Sequence, residues 1–214
     1  MDFAVFIGEE KTLIYKKGQG IVLNEPSIIA VTDGKVTAVG KTALQFLDRP
    51  DTVFKQVIRQ GALINVEHSS VFVAAMLKKV GTMCDCLVCI PSSLDQNALN
   101  DYKTAVYTAG VADATFIPSV IASAYHAGFK LGAKTEFLSV ITDGESADMA
   151  VLCGPEIIDG GTLHDLSKFD LALTGFQEHY PNVEKHLGDR MSVINGAGEL
   201  LSKPELVRKI VEAN

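Results

Sequence analysis

Residues 2–27 read DFAVFIGEEKTLIYKKGQGIVLNEPS, and this stretch decides the fold. DFAVFIG (2–8) and KTLIY (11–15) are apolar runs of strand length around the tight segment Gly8-Glu9-Glu10. Gly18 and Gly20 punctuate the next turn, and IVLNE supplies a third strand, so the chain opens as a β-meander. Ser27–Val31, the hairpin signal Asp33-Gly34 and Lys35–Val39 extend it, followed by a short helix over Ala43–Leu47 and a strand near Val53–Ile58.

Downstream the period changes. Glu67–Val80 is an amphipathic helix, Asp85–Ile90 a strand ended by Pro91, and Leu94–Ala109 a helix stopped by Gly110. Ala112–Ile117 reads as a strand and Ser119–Ala127 as a small-residue helix ended by Gly128. The scheme then restarts. Thr135–Thr142 and Ala147–Leu152 are strands around Asp143-Gly144-Glu145-Ser146, and Glu156–Asp159 follows the turn Gly154-Pro155. A helix over Asp165–Glu178, a strand at Met191–Ile194 and a helix over Glu205–Glu212 complete the chain. Two meander-then-α/β units predict a duplicated α/β fold with a cleft between the halves, where ligands of such folds sit. Gly128–Lys134 joins the halves as an ordinary turn.

Composition narrows the function classes. The 214 residues carry a net charge of -7 and are 47% hydrophobic and 21% charged, an ordinary globular balance. That negative field, with no basic run, argues against a nucleic-acid partner. Mean hydropathy is high at +0.21, yet no apolar run approaches the ~20 residues of a membrane span. The opening MDFAVFIGEEK resembles neither a signal nor a transit peptide, which predicts a cytoplasmic protein. Peripheral membrane contact through a small apolar patch is compatible with this composition.

Cys84, Cys86 and Cys89 form C-x-C-x-x-C, and Cys153 stands apart. On a strand Cys84 and Cys86 share one face while Cys89 points to the other, so these are read as structural thiols rather than metal ligands. His68, His126, His164, His179 and His186 form no metal-binding spacing. Ser92-Ser93 lacks the Gly-x-Ser-x-Gly elbow of hydrolases.

Thr12-Leu13-Ile14-Tyr15 followed by Gly18-Gln19-Gly20-Ile21-Val22-Leu23-Asn24-Glu25-Pro26-Ser27 closely resembles the opening of the MreB-type bacterial actins. The likeness continues through Lys35–Lys41 and Arg59–Ile64, and more weakly through Val88–Pro91, Thr108–Val111 and Ile121–Ala124. A last island, Val193-Ile194-Asn195-Gly196-Ala197-Gly198-Glu199-Leu200-Leu201, is similar to the family's adenosine motif. The resemblance implies an actin-like (RNase H-like, duplicated) α/β fold of two domains with nucleotide between them. Residues 1–134 would form the first half, with an insertion subdomain at about 26–65, and residues 135–214 a reduced second half without its insertion subdomain.

The resemblance also implies where the chemistry departs. The family's first phosphate loop, Asp-x-Gly-Thr, aligns with Phe6-Ile7-Gly8-Glu9, so a residue that cannot ligate Mg²⁺ replaces the aspartate. The second, Asp-x-Gly-Gly-Gly-Thr, aligns with Ile141-Thr142-Asp143-Gly144-Glu145-Ser146. The glutamate that positions the attacking water aligns with Ala98, or after a small shift with Gln96. No catalytic residue is therefore assigned. Gly8, Lys11, Gly144, Ser146, Gly196, Ala197 and Gly198 are the remnant of a nucleotide cleft. Glu9, Glu10, Asp143 and Glu145 would converge there as a candidate divalent-cation site, with solvated turn carboxylates as the default.

The expectation is a pseudo-ATPase without a bound metal or cofactor, acting through a protein partner or self-association as a scaffold or regulator linked to cell shape or a filament. A divergent nucleotide-binding cytoskeletal ATPase using ATP and Mg²⁺ is the alternative, and a small-ligand or metal-binding module in the old cleft a third.

Overall fold

The computed structural model describes residues 1–81, 85–132 and 134–214. Strands β1 (Phe3–Ile7), β2 (Lys11–Lys16) and β3 (Gly20–Pro26) form the opening meander. A small three-stranded sheet follows, made of β4 (Ile28–Thr32), β5 (Lys35–Val39) and β6 (Thr52–Gln56), with β4 central. Asp33 and Gly34 join β4 to β5 with φ of 51° and 76°, the left-handed geometry that Asp-Gly accepts cheaply. The short helix expected at Ala43–Leu47 is present as a 3₁₀ helix over Gly40–Phe46. A two-stranded ribbon, β7 (Ile58–Arg59) and β8 (Ala62–Leu63), leads into α1 (Val66–Val80), whose first turn is capped by the Asn65 side chain.

Next come β9 (Asp85–Ile90), α2 (Gln96–Thr108), β10 (Asp113–Pro118) and α3 (Ser119–His126). The first large sheet has the order β10-β9-β1-β2-β3, with β1 parallel to β9 and antiparallel to β2. Because β1 is central, all five of its residues are buried. Phe3, Val5 and Ile7 join the core packed by α1 and α2, whereas Ala4 and Phe6 face a second core shared with the other half. Cys86 and Cys89 split between those same two cores, so they cannot act together as ligands. Cys84 lies outside the described residues.

The second half comprises β11 (Glu136–Asp143), β12 (Ser146–Cys153), β13 (Glu156–Leu163), α4 (Phe169–His179), β14 (Glu184–Asp189), α5 (Arg190–Leu200) and α6 (Pro204–Ala213). Its sheet has the order β13-β12-β11-β14, one strand fewer than the first.

The predicted strand at Met191–Ile194 is wrong: these residues lie in α5, and the strand, β14, ends just before that helix. A capping box starts the helix. Asp189 Oδ1 accepts from the amides of Met191 (2.9 Å) and Ser192 (3.0 Å), and Ser192 Oγ accepts from the Asp189 amide (3.0 Å). Helix α5 then packs against α3 in the core between the halves. The contact is close because Gly196 faces the Ala122 carbonyl, which an added Cβ would overlap. Ser123 Oγ and Ser192 Oγ hydrogen-bond across the two helices at 2.7 Å.

Candidate functional site

The β1–β2 turn of the first half faces the β11–β12 turn of the second. Each turn places a carboxylate on the backbone amides or hydroxyl of the other. The Glu9 amide donates to Asp143 Oδ2 at 2.5 Å. In return Glu9 Oε2 accepts from the Glu145 amide at 3.0 Å, and Glu9 Oε1 accepts from Ser146 Oγ at 3.1 Å. Glycine makes both approaches feasible: a Cβ on Gly8 would overlap Asp143 Oδ2, and one on Gly144 would lie 2.5 Å from Glu9 Oε2.

Arg190, the first residue of α5, closes the outer side. Its Nη1 lies 2.5 Å from Glu10 Oε2 and 3.4 Å from Asp143 Oδ1. Deeper in the cleft, Asp148 of β12 accepts from the amide (2.9 Å) and hydroxyl of Ser92, just after β9. Burial pushes the Asp143 carboxyl up to about 6 despite the Glu9 amide and Arg190, which act the other way. Burial likewise pushes Asp148 up to about 6 against the two Ser92 hydrogen bonds.

Between these contacts remains a cavity of about 40 Å³. Its walls include Phe6, Ile141 and Tyr102, with Ser119, Asp143 and Asp148 as polar neighbours. The Ser119 hydroxyl is buried without a hydrogen-bond partner among the described residues. Such a space holds a water or two, against the several hundred Å³ of ligand pockets. Outside the interlock an open depression of about 470 Å³ is bordered by Glu10, Asp143, Asp189 and Arg190, three carboxylates to one guanidinium, which is unfavourable for a triphosphate.

The residues assigned from the sequence therefore divide. Gly8, Gly144 and Ser146 meet at the interlock. Lys11 opens β2, where its carbonyl accepts from the Gly8 amide, and it does not line the cavity. Gly196, Ala197 and Gly198 form no turn at a ligand: they are buried inside α5, where Gly196 meets α3 and Gly198 meets the Tyr15 ring. Glu9, read as a solvated turn carboxylate, is buried, whereas Glu145 is exposed. Among the described residues no group of three or more His, Cys, Asp or Glu is placed to hold a metal ion.

Sequence reasoning missed Arg190, Ser92, Asp148 and Ser119. One signal was available: Ser119-Val120-Ile121-x-x-Ala124 recurs as Ser192-Val193-Ile194-x-x-Ala197. The repeat marks α5 as the counterpart of α3.

The family profile of the MreB/Mbl proteins matches residues 1–164, more than half of the chain. The chain belongs to the MreB/Mbl family. It is 28% identical over 165 residues to the cell shape-determining protein MreB of Escherichia coli (strain K12), covering 71% of this chain and 48% of that protein. It is 24% identical over 185 residues to the cell shape-determining protein Mbl of Bacillus subtilis (strain 168), covering 82% and 56%. This family member thus spans about half the length of the curated relatives it matches. Among solved structures it resembles MreB5 of Spiroplasma citri bound to ADP, with a TM-score of 0.68, 19% identity and coverage of 85% and 57%. It also resembles a MamK double helical filament, with a TM-score of 0.61, 16% identity and coverage of 94% and 64%. The actin-like fold is thereby established for this MreB/Mbl-family chain.

Proposed function

We propose that this MreB/Mbl-family chain is a non-hydrolysing actin-like protein that acts through its surface, as a scaffold or regulator of a filament linked to cell shape. The interlock of Glu9 and Asp143 carries the reading. Anionic side chains fill the space between the two turns, and the cavity left between them is far smaller than a nucleotide pocket. Phe6 and Ile141 stand in the walls of that cavity and supply no oxygen ligand for Mg²⁺. The relatives named for cell-shape determination and the filament of MamK support a role in assembly, by self-association or on a partner polymer.

Calorimetric titration with ATP and Mg²⁺, paired with sedimentation with and without nucleotide, tests the reading. The expected result is no heat of binding at micromolar nucleotide and a sedimentation profile that nucleotide does not alter. Micromolar binding with Mg²⁺-dependent turnover would favour a divergent ATPase instead.

A further inference from the structure

We infer that the carboxylates of Glu9 and Asp143 are tethered anions that occupy the turns in place of a phosphate group and latch the two halves closed. This rests on the non-hydrolysing reading and deepens it by naming what controls the cleft.

Backbone amides at glycine-bearing turns make anion cradles, and a free anion there would take the donors that the structure gives to side chains. Glu9 receives the Glu145 amide and the Ser146 hydroxyl, and Asp143 receives the Glu9 amide. Each carboxylate belongs to one half of the molecule and each set of donors to the other, so every bond crosses the cleft. Hydrogen bonds to an ionised acceptor are stronger than neutral ones, and these are partly or wholly buried. A third element converges on the same space. Helix α3 begins at Ser119 with no side-chain cap and no acidic residue in its first turn. Its Ser119 hydroxyl lines the cavity without a partner among the described residues. That hydroxyl gives the cavity a further hydrogen-bond donor beside the two turns.

Two consequences follow. The bonds between the turns hold the two halves in one arrangement. A phosphate or pyrophosphate group can enter only when the Glu9 carboxylate leaves, because both would claim the Glu145 amide and the Ser146 hydroxyl. Phe6 and Ile141 do not prevent this, since the donors involved are not metal-dependent.

The test compares the full chain with Glu9→Gln, Glu9→Gly and the remote surface control Glu205→Gln. Hydrogen exchange followed by mass spectrometry at pH 7.5 reports the amides of residues 144–147, and calorimetry reports inorganic pyrophosphate without metal. The latch predicts at least tenfold faster exchange at residues 144–147 in both Glu9 variants, with the control unchanged. It also predicts that Glu9→Gly binds pyrophosphate at least tenfold more tightly than the natural chain. Should the Glu9 variants fail to fold by circular dichroism, Ser146→Ala removes one donor alone and should accelerate the same amides severalfold. Unchanged exchange in the folded variants overturns the latch. Natural chain that binds ATP with Mg²⁺ while the Glu9 variants still exchange faster would overturn the non-hydrolysing reading and leave the latch standing.

Discussion

Asp148 of β12 holds Ser92, the second residue after β9, through two hydrogen bonds that run from one half of the molecule to the other. The carboxylate is buried, and the cost of burying its charge outweighs both bonds, so its pKa rises to about 6. Asp143 titrates in the same range for the same leading reason, with Glu9 and Glu10 adding to the rise. Asp143 and Asp148 are thus ionised at neutral pH but carry a burial cost that protonation relieves.

This gives stability a pH dependence of definite sign. Between pH 4 and 6 the folded chain binds more protons at Asp143 and Asp148 than the unfolded chain does, so their stabilising contribution is complete below about pH 4 and declines as pH rises through about 6. Each group accounts for on the order of 2–3 kcal/mol across that window. Thermal unfolding should show a Tm that falls between pH 5 and pH 7.5, and Asp148→Asn should flatten the slope. A Tm that climbs steadily over the interval in the natural chain would contradict this.

Gly196→Ala should destabilise the chain by about 3 kcal/mol, because the new methyl group overlaps the Ala122 carbonyl where α5 meets α3. Gly161→Ala, which meets nothing and has no left-handed φ, should be near neutral. Denaturant titration of the two variants side by side checks the contrast. Equal and small effects would remove the packing role assigned to Gly196.

Tyr102 is fully buried, and its hydroxyl donates to the Gly61 carbonyl at 2.9 Å. Tyr102→Phe leaves that carbonyl without its partner and should cost about 1–2 kcal/mol in chemical denaturation. Circular dichroism should otherwise match the natural chain. A loss within 0.3 kcal/mol, about the spread of a conservative exchange, would show that water replaces the hydroxyl.

Burial raises the Cys86 thiol to about 12, with Asp85 and Asp113 contributing, and raises Cys89 by burial alone. Thiolates are the reactive species, so neither residue should be alkylated by iodoacetamide in the native chain at pH 8, whereas both should react in denaturant. Peptide mass mapping of the modified positions decides this.

The opening meander is readable from the chain alone because its cues are local. Runs such as FAVFI need burial on both faces, and Asp33-Gly34 meets the φ requirement of a tight hairpin. The error at Met191–Ile194 has an equally physical origin. A β-branched run favours a strand in isolation, but Asp189 and Ser192 start a helix there and the facing surface of α3 rewards it with burial. Gly196, Ala197 and Gly198 continue that helix, since glycines that permit a turn also permit two helices to approach.

The sequence by itself determined the family and the duplicated α/β plan, because both are written in residue identity and short-range pattern. The tertiary structure alone decided the fate of the acidic turns. Glu9 and Asp143 are 134 positions apart, and nothing local distinguishes a solvated glutamate from one buried against the Glu145 amide and the Ser146 hydroxyl. Which anion fills an anion cradle depends on which surfaces folding brings within 3 Å of each other, and here it brought the chain's own carboxylates.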